Sequence, residues 1–274
     1  MTSIWIPALF ALFLWWFGTG IVLLIGRAPR AMALGLGTLA LGGALGAVAL
    51  SATQADFTGA CVAFTAAIMI WGWHELSFLT GALTGPRREP CPPGARGWLR
   101  FRMAAATLIH HEIALAATAA GLGLWLWDAA NPVALWTFLA LWILRLSVKF
   151  NIYLGAPNVA VEFLPDDLRY LASYFSRKPM NLLFPVSVTA GTVIAGGMLL
   201  HAATVAATPF DATALTLVGM LIALGTLEHW FLVLSVSEAS LWRWYIDTRA
   251  RKRANRAHRA PDLSPLSAPT LLRR

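Results

Sequence analysis

Three of the six glutamates in this chain stand beside histidines inside long apolar stretches: His74-Glu75 in WGWHELSFL, His110-His111-Glu112 in LIHHEIAL, and Glu228-His229 in LEHWFLVL. Imidazole with carboxylate is a ligand set for iron, zinc or manganese. Neutral imidazole also ligates haem iron or the central metal of a magnesium tetrapyrrole, and tryptophan and phenylalanine nearby suit a flat macrocycle. A third use needs no ligand: hydrogen bonds between such groups hold helices in register, each contributing about 0.6–2 kcal/mol. The spacing matches neither the Glu-x-x-His of di-iron bundles nor the His-Glu-x-x-His of zincins, and no His-x-x-x-His box is present. All three uses stay open at this point. In the metal case the candidate is iron, in a membrane oxidase or hydroxylase acting on a lipid-soluble tetrapyrrole or carotenoid.

The elements that must position these residues are membrane spans. The chain has 274 residues, 58% hydrophobic and 12% charged, whereas a soluble domain carries about a quarter charged residues. With a mean hydropathy of +0.65, a water-soluble globule is excluded. Apolar stretches fall at about 4–26, 31–53, 57–83, 104–127, 133–154, 183–206 and 212–236, each near the length that crosses a bilayer. The expected fold class is an all-α, polytopic seven-helix membrane bundle over residues 1–245. Arg27 and Arg30, then Arg87 to Arg102, then Arg169 to Lys178, and finally the tail fall on one side; the alternate loops carry Asp56, Asp128 and Asp211 without Lys or Arg. The positive-inside rule then places the N-terminus outside and the C-terminus in the cytoplasm of a bacterial inner membrane. The first charged residue is Arg27, so the leading apolar stretch reads as a retained span and not a cleaved signal.

At 1.5 Å per residue, His74, His111 and His229 all lie about 10–15 Å below the cytoplasmic surface. A charge at the centre of a span costs at least about 2.5–3.5 kcal/mol, so the three carboxylates are expected to face inward. Arg145 reaches the same depth as their counter-charge, with Lys149 and Asn151 nearer the mouth. Between the fifth and sixth spans, Leu164, Leu168, Leu171 and Phe175 recur at α-helical intervals, with Asp166 and Asp167 leading and Arg177 and Lys178 trailing. This reads as an amphipathic helix lying on the cytoplasmic interface with those four side chains toward lipid.

Gly42 and Gly46 give the second span a G-x-x-x-G, read as close packing within the bundle. Trp5, Trp98, Trp125, Trp127, Trp242 and Trp244 lie near span ends as interfacial anchors. Residues 246–274 are basic, then rich in Pro and Ser, and are expected to form a disordered tail facing anionic lipid. The formal net charge of +8 is thus explained by topology and lipid, with no need for nucleic acid. Cys61 and Cys91 fall on opposite sides of the bilayer and make no disulfide framework. A retinal protein is excluded because the last span has no lysine.

With these motifs in view, the sequence resembles the photosynthetic complex assembly proteins called PuhE, of purple phototrophic bacteria, encoded near a gene for the photosynthetic reaction centre. The resemblance covers nearly the whole chain to about Trp244. It rests on IWIPALFALFLWWFGTG, WGWHELSFLTG, GPRR, TLIHHEIALAATAA, LWTFLALWILRLSVKFNIYLGAPN, EFLPDDLRYLASYF, NLLFPVSVTAGT and LEHWFLVL together. It implies a role in assembling the reaction centre and light-harvesting antenna, with those subunits or other assembly factors as partners and an influence on bacteriochlorophyll supply. It assigns no catalytic residue.

Overall fold

Backbone amides in a bilayer have no water to bond, so apolar chain of this composition closes its hydrogen bonds internally as helix. The computed structural model describes residues 4–159, 161 and 164–234. Its α-helices are α1 (Trp5–Ile25), α2 (Arg30–Ser51), α3 (Phe57–Leu79), α4 (Gly97–Ala106), α5 (Ile109–Trp125), α6 (Val133–Leu154), α7 (Leu183–Thr204) and α8 (Pro209–Phe231). Six of them are long and apolar enough to cross a membrane, or seven spans if α4 and α5 count as one. This is a multi-pass membrane protein. Trp242, Trp244 and the tail from 246 onward lie outside the described residues.

Start signals are chemically ordinary. Pro29 and Pro132 precede α2 and α6, Pro209 opens α8, Asp56 accepts from the Gly59 amide at 2.7 Å, and Thr208 accepts from the Asp211 amide at 3.0 Å. Among the six straight spans, α3 and α8 are the most enclosed and α1 is the most exposed. The core, to which α5 and α6 also contribute, includes Phe64, Ile70, Leu115, Phe138, Leu217 and Leu221.

The fourth span is not the single straight helix expected over 104–127. α4 and α5 meet at 67°. The α3–α4 loop is wedged into the break: the Arg87 amide donates to the Ala106 carbonyl at 3.1 Å, and the Thr84 carbonyl accepts from the His111 amide at 3.0 Å. Those two bonds give the Ala106 carbonyl and the His111 amide the partners that an unbroken helix would supply at the same groups. Gly85 lies against the Ala106 carbonyl so closely that a Cβ would overlap it.

The expected interfacial helix also differs. Asp166–Tyr174 is a 3-10 helix, with three residues per turn, and its inward row is Leu168, Leu171 and Tyr174. Leu168 and Leu171 are buried in the protein, whereas Leu164 and Phe175 are half-buried beyond its ends. The set expected to face lipid therefore packs mainly against protein. Arg87 donates through Nε to the Tyr174 hydroxyl at 2.7 Å, and Arg100 donates to the Tyr174 carbonyl at 2.6 Å, fixing the short helix to the α3–α4 segment.

The G-x-x-x-G reading is overturned as well. Around Gly42 and Gly46 there is open space; α2 instead buries Ala33, Gly37, Ala44 and Val48. The close approach is made elsewhere, at Gly191 of α7 against Thr226 of α8.

Candidate functional site

α6 organises the polar groups because it carries two polar stripes on opposite sides. At 100° per residue, Trp142, Arg145 and Lys149 share one face, and Ser147 and Asn151 share the other. The first stripe meets α3 and α5. Lys149 Nζ donates to Glu112 Oε1 at 2.6 Å, Trp142 Nε1 donates to Glu112 Oε2 at 3.1 Å, and Arg145 donates to Glu75 Oε2 at 3.2 Å. Both oxygens of Glu112 are thus satisfied by one helix. Each ion pair is enclosed on its acidic side: the Glu112 and Glu75 side chains are 14% and 13% exposed.

His74 and His111 lie behind these pairs, each almost fully buried, with ring centroids 6.3 Å apart. His74 Nε2 shares a hydrogen bond with Thr118 Oγ1 at 3.0 Å, and His111 packs on Phe78 at 4.9 Å between centroids. The Nδ1 atoms of both rings are buried without a hydrogen-bond partner among the described residues. His110 points away and is exposed.

The second stripe receives His229. Its Nε2 bonds Ser147 Oγ at 2.8 Å and its Nδ1 bonds the Gly225 carbonyl at 2.7 Å. Ser147 Oγ donates to Ser187 Oγ at 2.9 Å, and Asn151 donates to Ser187 Oγ at 3.1 Å. Asn181 donates to the Asn151 side chain at 3.1 Å and to the Gly155 carbonyl at 2.8 Å, while its own Oδ1 accepts from the Leu183 and Phe184 amides that open α7. A hydrogen-bonded chain therefore ties α6, α7 and α8.

The structure brings His74, Glu75, His111, Glu112, Arg145 and Lys149 together on one side of α6 and joins His229 to Asn151 on the other. The three couples do not converge on one point. Among the described residues no group of three or more His, Cys, Asp or Glu side chains is arranged to hold a metal ion, so the donor set for iron is not assembled. Nor does any of the three buried imidazoles line the large cavity between α1, α3, α6 and α8, of about 890 Å³. Its wall carries Glu75, Glu228 and Arg145 with Trp15, Trp71 and Trp73.

Thr118, Trp142, Ser147, Ser187 and Asn181 complete the polar arrangement and carry no motif of their own. The i, i+4 repeat of Ser147 and Asn151 is the trace they leave in the sequence. At the basic end, the hydrogen bond to Tyr174 raises the Arg87 guanidinium above its ordinary value, so that contact holds a fully charged arginine.

A family model described as "Protein of unknown function (DUF3623)" matches residues 1–253. A relative from Rhodobacter capsulatus, described as "Uncharacterized 30.4 kDa protein in puhA 5'region", is 40% identical over 253 residues, covering 90% of this chain and 92% of that protein. No solved structure matches.

Proposed function

The chain belongs to the DUF3623 family, and we propose that it is an assembly factor for the photosynthetic reaction centre and its light-harvesting antenna, resident in the bacterial inner membrane. The single observation that carries this reading is the 40% identical relative whose gene lies in the puhA 5′ region. The resemblance to PuhE proteins points the same way. The protein acts without catalysis of its own: its paired carboxylates and bonded imidazoles frame a bundle that reaction-centre and antenna subunits, or other assembly factors, approach from the bilayer. Bacteriochlorophyll or a precursor is handled as cargo in the aromatic-walled cavity, whose volume lies in the range of ligand pockets, about 300–1,000 Å³. The geometry supports the cavity for this role in place of direct imidazole ligation.

Deletion of the gene in a phototrophic host tests the reading. The near-infrared absorbance of reaction centre and antenna in the membranes falls and returns on complementation with the wild-type gene. Unchanged absorbance refutes the assembly role. Protein purified from pigment-making cells carries a tetrapyrrole band that persists in His74→Ala; colourless protein removes the cargo from the proposal and leaves assembly standing.

A further inference from the structure

The basic end holds a second pocket, of about 420 Å³, between the α3–α4 loop and α4. Three arginines, Arg87, Arg88 and Arg102, and a single carboxylate, Glu89, line it, while Leu99 and Met103 give it an apolar side. The Glu89 side chain is 74% exposed, so this acid sits at the rim in water, where it pairs with Arg87. The fold fixes two of the cations. Arg87 is held by the Tyr174 hydroxyl, by the Pro90 carbonyl at 3.2 Å and by Glu89 at 3.4 Å; Arg88 donates to the Gly81 carbonyl at 3.2 Å. Arg102 is exposed and has no ion-pair partner among the described residues. Each guanidinium has five N–H donors, so Arg88 keeps several beyond the one it gives to Gly81.

The surroundings are those of a headgroup zone. α4 bends away from α5 by 67°, and its Trp98 and Leu99 are 69% and 53% exposed beside Arg100 and Arg102. A short helix with exposed aromatic and aliphatic side chains next to arginines sits at the boundary of acyl chain and headgroup.

We propose that this pocket binds an anionic phospholipid, Arg88 and Arg102 taking the phosphate oxygens while Leu99 and Met103 contact the start of an acyl chain. Guanidinium and phosphate are matched in geometry as well as charge. Three cations against one rim carboxylate leave a net positive charge for the anion to neutralise, and the apolar side favours a lipid over free phosphate. Bound there, the lipid joins the α3–α4 loop to α4, and through Arg87 and Tyr174 it braces the 3-10 helix.

Native mass spectrometry of the full chain released from detergent, supplied with phosphatidylglycerol and phosphatidylcholine, tests this. The wild type retains one phosphatidylglycerol in preference to phosphatidylcholine. Arg88→Ala/Arg102→Ala loses that preference, and Arg102→Gln alone, at an exposed position, weakens it about tenfold. Arg30→Ala/Arg96→Ala, which removes equal charge outside the pocket, keeps it. Equal loss in both double variants, retention in Arg88→Ala/Arg102→Ala with Arg102→Gln unaffected, or displacement of the lipid by millimolar inorganic phosphate overturns the proposal.

Discussion

At the scale of single residues, what decides the fate of the intramembrane carboxylates is whether a cation on α6 reaches them. Glu112 is held by Lys149 and Trp142 together. Taking away one partner of an enclosed pair leaves a buried charge uncompensated, at a cost of about 3–5 kcal/mol. Lys149→Ala is therefore expected to destabilise the protein by about 3 kcal/mol, read from thermal unfolding in detergent followed by tryptophan fluorescence. Adding Glu112→Gln to it recovers most of the loss, because the orphaned charge is gone. Arg145→Ala costs less than Lys149→Ala, since the Arg145 side chain is 44% exposed against 22% for Lys149. If Lys149→Ala melts like the wild type, the ion pair does not stabilise the bundle.

Between elements, packing depends on which glycines another helix approaches. Gly191 faces Thr226 so closely that an added methyl overlaps its side chain, whereas Gly42 looks into open space. Gly191→Ala is expected to lower stability by about 1–3 kcal/mol through overpacking of α7 on α8. Gly42→Ala raises stability slightly, by up to about 1 kcal/mol, because alanine loses less backbone entropy in a helix. The two variants, compared in one thermal series, have opposite signs; a reversed order would mean that α2, not α7, makes the close contact. The broken fourth span belongs to this scale too. Its bend is held by backbone bonds from the α3–α4 loop at Thr84 and Arg87, and no proline or glycine within 104–109 announces it.

For the molecule as a whole, the α3–α4 loop and α4 carry Arg87, Arg88, Arg96, Arg100 and Arg102 at one end of the bundle, where Arg87 and Arg100 hold Tyr174, and the opposite end is closed by Asn131. Asn131 donates to the Ser51 and Gln54 carbonyls at 3.1 Å each and accepts from the Val133 amide. From the positive-inside rule we propose that the basic end lies in the cytoplasm. A maleimide that cannot cross bilayers is expected to label Cys91, in the α3–α4 loop, in inside-out vesicles and not in right-side-out ones, with Cys61→Ala as background. The reverse pattern inverts the proposed orientation and moves the phospholipid pocket to the other leaflet.

Apolar runs the length of a bilayer, interrupted by charge, are a local property of the chain, so the limits of most spans were legible: α1, α2, α3, α6 and α7 each fall within three or four residues of the stretches read from hydropathy, while the count is six or seven according to whether α4 and α5 cross as one. That Arg145 reaches the depth of the intramembrane carboxylates was legible for the same reason, since cost and depth both follow from position along a helix; that it meets Glu75 while Lys149 takes Glu112 was not. How helices rotate about their axes was not, because a span apolar on nearly every side has no strong preferred face. That rotation put His229 on the Ser147 side of α6 and the other two couples on the Arg145 side, turned Gly42 outward, and drew Leu168 and Leu171 inward in a three-residue turn. Only contacts between distant segments distinguish those arrangements, and a one-dimensional pattern does not contain them.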